Sequence, residues 1–105
     1  MYEILYYKTP SGKVVYKEWL RKLQDRQAKA AIPNRLDRVS SGNFGDCKFC
    51  RAGVWELRIN IGSGYRLYYA KMDHKIIMLL CAGNKRTQDK DIDRACGYWK
   101  EFQNR

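Results

Sequence analysis

The chain has 105 residues, 45% of them hydrophobic and 13% aromatic, and a formal charge of +10 at pH 7. This length suits one domain that buries roughly 60–68% of its unfolded surface, and the hydrophobic share excludes a disordered tail. No apolar run approaches the ~20 residues that span a bilayer and no secretory signal is legible, so the expectation is a cytoplasmic protein with reduced cysteines and a polyanionic partner.

Tyr2 to Tyr7, rich in aromatic and β-branched residues, reads as a first strand. Thr9-Pro10-Ser11-Gly12 breaks it, and Ser11 is the expected N-cap of a helix in which Val15, Trp19, Leu20 and Leu23 recur at helical spacing. Asp25 is expected to cap a second helix with Ala28, Ala31, Ile32, Leu36 and Val39 inward. Pro33 in its interior removes a hydrogen bond and predicts a bend. Ser40 to Asp46 closes this helical half, and Cys47 to Arg51 is a short strand or an extended lead-in. Cys47 and Cys50 have the spacing of a metal or dithiol pair, but a second pair is missing; two ordinary small residues near a strand start is the stronger reading.

The centre of the sequence is Gly53 to Ala70, two alternating segments around Gly62-Ser63-Gly64 that predict a hairpin with a three-residue loop. With Ile61 facing Tyr65, Asn60 meets Arg66, Arg58 meets Tyr68, and Glu56 meets Ala70. Alternation then puts Leu57, Ile59, Ile61, Tyr65, Leu67 and Tyr69 on a core face, and Glu56, Arg58, Asn60, Arg66 and Tyr68 on a polar, cationic one. Met72 to Lys75 turns the chain into Ile76–Ala82, apolar at both parities as an interior strand covered on both faces would be. That strand runs into Gly83-Asn84-Lys85-Arg86. Thr87 to Gln103 is an amphipathic helix with Ile92, Ala95, Cys96, Trp99 and Phe102 as its apolar stripe and Thr87 or Asp89 as its cap. The sum is an α+β domain: a mostly antiparallel sheet packed against two N-terminal helices and a C-terminal helix.

The residue inventory excludes several chemistries. The single histidine, His74, falls in a turn, which rules out acid–base cleavage by a histidine pair. Serine and cysteine lack a histidine partner, no cluster of carboxylates and imidazoles offers a catalytic metal site, and no glycine-rich loop opens a helix as a phosphate cradle. What remains is a cationic group, Arg58 and Arg66 on the hairpin with Lys85 and Arg86 at the exit of the interior strand. If that strand lies beside the hairpin, the charges converge on one concave patch that would hold a phosphate. Cleaving RNA requires an activated 2′-hydroxyl, in-line geometry and stabilisation of charge on the phosphorane, and arginines supply the last two without metal or cofactor. Glu56 is a candidate base for the hydroxyl or, the stronger reading, a carboxylate that pins Arg58 or Arg66. Asn60 and Tyr68 are candidate substrate contacts, with Tyr68 either stacking on a base or covering the sheet. A solvated sheet face is the plain alternative for the whole group.

Gly53-Val-Trp-Glu-Leu-Arg58, Gly64-Tyr-Arg66 with Leu67-Tyr-Tyr-Ala70, and an apolar strand into Lys85-Arg86 and Gln88-x-x-Asp91-Ile92 together resemble the RelE/ParE toxin superfamily, most of all its HigB-like "addiction module killer" branch. The resemblance implies a microbial-RNase-like fold and a cytoplasmic toxin of a type II toxin–antitoxin system. It further implies cutting of messenger RNA on the ribosome without a metal, and silencing by a cognate antitoxin, a small helix-turn-helix protein. Promoter DNA would be met only through the antitoxin complex, and membranes not at all. By position, Arg58, Arg66 and Arg86 with Lys85 stand where such members keep catalytic or phosphate-binding cations. Glu56 stands where RelE-like members can carry another basic residue, and Asp91 and Ile92 where some place a tyrosine. The ParE branch shares the fold but poisons DNA gyrase and lacks the ribonuclease residues; a non-cleaving RNA-binding module is the third reading.

Overall fold

Alternating sequence on the strands and period-3.6 stripes on the helices leave one sheet with two apolar faces, and both are covered. The computed structural model describes residues 1–105. Its elements are β1 (Glu3–Tyr6), α1 (Val15–Lys22), α2 (Arg26–Ser40), β2 (Cys47–Arg51), β3 (Val54–Ile59), β4 (Tyr65–Lys71), β5 (Ile76–Asn84), a 3-10 turn (Lys85–Thr87) and α3 (Gln88–Gln103). The strands lie in the order β1-β5-β4-β3-β2. β2 to β5 form an antiparallel meander, while β1 pairs parallel with β5, so the sheet of this α+β domain is mixed. No helix is long and apolar enough to cross a membrane.

One face packs Leu57, Ile59, Leu67, Tyr69, Ile77 and Leu79 against Tyr16 of α1 and Ala28, Ile32, Leu36 and Val39 of α2. The opposite face packs Val54, Tyr68, Ala70, Met78, Leu80 and Cys81 against Ala95 of α3, flanked by Ile92, Cys96, Trp99 and Phe102. β5 thus serves both cores, as its unbroken apolar run predicts. A bulge opposite Tyr68 and Tyr69 leaves Leu80 without a partner in β4 and turns Leu80 and Cys81 to the same face. Beyond the bulge the alternation resumes in the opposite phase.

Several local expectations are corrected. The hairpin pairs Ile59 with Tyr65, so its loop is the five residues Asn60 to Gly64, and the register is two residues from the one predicted. A shift of two preserves every face. The wider loop lets Ile61 pack on the α1/α2 side, is closed by Gly64 N–H donating to the Ile61 carbonyl (2.9 Å), and is held to α2 by Tyr65 O–H donating to Asp25 Oδ2 (3.0 Å). Asp25 does cap α2, accepting from Ala28 N–H (3.0 Å), and of the residues predicted inward only Ala31 is half-buried rather than buried. Ser11 is no cap: α1 starts after Val14 without a side-chain bond, and the Ser11 hydroxyl meets only that of Thr9. Thr87 does stand at the N-cap of α3 but makes no side-chain cap bond; the side chain that caps is Asn84, at the start of the preceding 3-10 turn, accepting from Arg86 and Thr87 N–H. α2 runs unbroken through Pro33, which sits on its exposed side. There water can satisfy the carbonyl freed by the missing N–H. Cys47 and Cys50 pack into the two separate cores on either side of the sheet, so they cannot share a metal ion or a disulfide.

Candidate nucleic-acid site

Register fixes the site. Arg58, Arg66 and Gly83 form one row across β3, β4 and β5, and Glu56, Tyr68 and Cys81 the next, with Lys48 of β2 opposite Glu56. Like charges directly opposite one another repel, so Arg58 facing Arg66 needs a counter-charge, and Glu56 supplies it. Its Oε2 accepts from Arg58 Nε (3.1 Å) and from Arg66 Nε (3.0 Å). Its Oε1 accepts from Gln88 Nε2 (3.0 Å) and from the Cys50 thiol (3.5 Å). Glu56 is 1% exposed, and burial alone would push its carboxyl up. Hydrogen bonds from Arg58, Gln88 and Cys50 outweigh that and hold it below the usual carboxylate range. The Cys50 thiol, half-buried beside this carboxylate, is pushed up to about 12 and stays protonated.

Both arginines reach Glu56 through Nε, and their terminal Nη nitrogens make no hydrogen bond within the chain. Those nitrogens are not among the fully buried unpaired atoms, with the Arg58 side chain 31% and the Arg66 side chain 12% exposed. This is an oriented pair of guanidinium forks, anchored from beneath and free above. Beside it a hollow of about 190 Å³ is lined by Glu56, Gln88 and Ile92 with Lys48, Cys50 and Arg51 of the edge strand β2. Lys85 and Arg86 are exposed and line a neighbouring hollow of about 360 Å³ with Thr87, Gln88, Asp89 and Lys90. β5 does lie beside the hairpin, and Lys85 N–H donates to the Gly64 carbonyl (3.1 Å), tying the strand exit to the loop. The four cations do not line one concave patch as expected: Lys85 and Arg86 border a different hollow from Arg58, and Arg66 lines none of these hollows. Gln88 borders both hollows.

Two predicted substrate contacts fall elsewhere. Tyr68 is fully buried beneath α3, so its ring covers the sheet and cannot stack on a base. Asn60 lies in the exposed loop and lines a third hollow, on the α2 side, together with Arg58. Conversely, Gln88, Cys50 and Lys48 belong to the site and were not singled out for it. Lys48 was recoverable in principle, because residues of one parity along β2 share a face, but that needs its register with β3.

Asp91 completes the α3 side. It is 4% exposed, accepts from the Thr87 hydroxyl and from Arg94 Nη1, and leans over Gly83, where a Cβ would come within 1.7 Å of its Oδ2. Only glycine fits at that point of the row, and the first turn of α3 is thereby seated against the sheet next to Arg66. No group of three or more His, Cys, Asp and Glu side chains is placed to hold a metal ion.

A family model for Gp49-like phage derived proteins (DUF891) matches residues 18–97, which span α2, the whole meander and the first part of α3. The chain is also 46% identical over 82 residues to an uncharacterized protein of Haemophilus influenzae, covering 78% of this chain and 83% of the relative.

Proposed function

The chain belongs to the Gp49-like phage-derived protein family (DUF891), and from that premise and the geometry around Glu56 we propose that it is the toxin of a type II toxin–antitoxin system. In this reading it is a RelE/HigB-like endoribonuclease that cuts messenger RNA on the ribosome in the cytoplasm. The observation that carries the reading is the guanidinium pair: a buried carboxylate fixes Arg58 and Arg66 by Nε and leaves their Nη donors for an anion. Such preorganised donors stabilise charge as it develops on a phosphorane. In the cleavage step the 2′-oxygen bonds to phosphorus as the bond to the 5′-oxygen breaks. The 2′-hydroxyl gives up its proton and the leaving oxygen takes one. Glu56, with four donors on its two oxygens, acts as the positioning group for the arginines. Lys85 and Arg86, exposed at the neighbouring hollow, bind flanking phosphates as compact and forked charges respectively. A cognate antitoxin silences the protein by covering this cationic surface, on which a net charge of +10 favours an acidic segment.

The test is primer extension on ribosome-bound message. Wild type should produce cuts, and Arg66→Ala should reduce them about 10²–10³-fold, the usual cost of one such donor. Intact message with wild type removes the ribonuclease reading; intact message together with inhibited gyrase supercoiling replaces it by a ParE-like one.

A further inference from the structure

Arg35 of α2 is 7% exposed and has no carboxylate partner. Its Nη2 donates to the Asp46 carbonyl (3.1 Å), and its Nη1 has no partner at all. The chain wraps the group closely: Gly45 holds φ +60°, and a Cβ there would lie 3.0 Å from Nη2. A buried guanidinium without a counter-charge is costly. Burial first, then the charge of Arg38, pulls its pKa down; the Asp46 carboxylate, which forms no ion pair with it, offsets this only in part, so the fold keeps a cation that its own residues compensate incompletely.

Beside it opens a hollow of about 310 Å³, bordered by Asn34, Arg35, Arg38, Arg58, Asn60 and Ile61. Three guanidinium groups and two carboxamides from α2, β3 and the hairpin loop thus surround one space, with no acidic residue on its lining. Arg58 is common to this hollow and to the Glu56 cluster, where its Nε is already fixed.

We propose that this hollow is a phosphate subsite, holding the backbone phosphate of a single-stranded RNA next along the strand from the one gripped by Arg58 and Arg66. The assignment rests on the reading of RNA as the substrate. A phosphate offers acceptor oxygens in several directions and so answers donors arriving from three elements, guanidinium groups from α2 and β3 and a carboxamide from the hairpin loop, whereas a carboxylate presents two oxygens in one plane. The shared Arg58 makes the two sites continuous, as a strand crossing both requires. Arg35 supplies charge from the wall; Arg38, exposed on α2, and Asn60 supply donors from the rim.

The test separates binding from cleavage. A 2′-O-methyl hexanucleotide, which has no free 2′-hydroxyl to attack with, is titrated into the full chain labelled with ¹⁵N-arginine, following Nε–Hε resonances by NMR. Arg35 and Arg38 signals should move saturably together with that of Arg58. Arg38→Gln, a surface change, should weaken binding about tenfold, as loss of one charge-assisted contact does, and lower the salt slope by ~0.7. Asn60→Ala serves as a second rim variant and should weaken binding in the same direction. Shifts confined to Arg58 and Arg66, with Arg38→Gln binding like wild type, overturn the subsite. So does a hexaglutamate peptide that shifts Arg35 and Arg38 at lower concentration than the RNA, which assigns the hollow to an acidic protein segment. If ribosomal message stays intact while the oligonucleotide still moves Arg35 and Arg38, the cleavage reading falls and the subsite stands.

Discussion

On the α3 face of the sheet the buried carboxylate of Glu56 has four donors around it, whereas on the α2 face the buried guanidinium of Arg35 has a single carbonyl. Both are charges removed from water, and burial penalises both. The first is a closed network: each partner is also held by the sheet or by α3, so removing the centre disturbs several elements at once. The second is open, compensated only in part, by the Asp46 carboxylate at a distance beyond an ion pair. Apolar packing follows the same division. The α1/α2 side has the larger, aromatic-rich core, while the α3 side gives up part of its apolar area to Glu56 and Asp91. The difference teaches what to look for on each face: a closed network holds its own charges in place, and an open one leaves donors for a ligand.

The largest effect should come from breaking the closed network. Glu56→Ala leaves Arg66, whose side chain is 12% exposed, facing Arg58 without a counter-charge. Breaking a buried pair in this way costs about 3–5 kcal/mol; we expect the lower end, because Arg58 is 31% exposed and water screens part of the repulsion. Acid should reproduce the loss. The folded Glu56 carboxyl is depressed below its unfolded value, so its contribution is complete above about pH 4.3 and drains away as pH falls through the folded value. Urea denaturation at stepped pH should therefore show a steeper acid loss in wild type than in Glu56→Gln. Equal slopes would mean that this carboxylate is not what acid titrates.

Comparable in size is a change on the opposite face, one residue from the site. Leu67 follows Arg66 in β4 but points into the α1/α2 core and is fully buried. Leu67→Ala should cost about 2.7–5 kcal/mol through lost burial and the cavity left behind, while cleavage per folded molecule stays near wild type. Chemical denaturation paired with ribosomal cleavage reads both quantities. A loss of cleavage as deep as that of Arg66→Ala would show that the two faces are not separable.

The faces were legible in the sequence because side-chain direction in a strand depends on parity alone, and Val54–Ile59 and Tyr65–Lys71 alternate cleanly. The register was not. Pairing Ile61 with Tyr65 satisfies the local turn pattern, but the loop is five residues and Tyr65 is tied to Asp25, forty positions away, a contact that no local pattern contains. Asp25 itself was readable as a cap, since capping is local. Ser11 had equally good local credentials, yet Thr9 engages it first. The Arg58, Arg66 and Glu56 association followed from parity. Gln88 and Cys50 did not, because their approach depends on how α3 and the edge strand β2 dock. Arg35 was not among the residues read as inward on α2, and the tertiary path of Gly45 and Asp46 closes over it.

The smallest expected effect concerns Tyr68, which sits on the site's own face and yet belongs to the core. Its ring is fully buried and its hydroxyl has no partner, while burial and the nearby Glu56 and Asp91 carboxylates push its pKa up, keeping it neutral. A buried hydroxyl without a hydrogen bond contributes nothing in the folded state and is desolvated at a cost. Tyr68→Phe removes that oxygen and preserves the ring that fills the space beneath α3. Stability should stay the same or rise by up to about 1 kcal/mol, and cleavage should be unchanged, measured by thermal melting and by single-turnover cutting on programmed ribosomes. A tenfold fall in cleavage at unchanged stability would place the hydroxyl in contact with the reacting strand. That contact would require the first turns of α3 to lift from Gly83 and Gln88 to leave Glu56, turning the closed network into a gate.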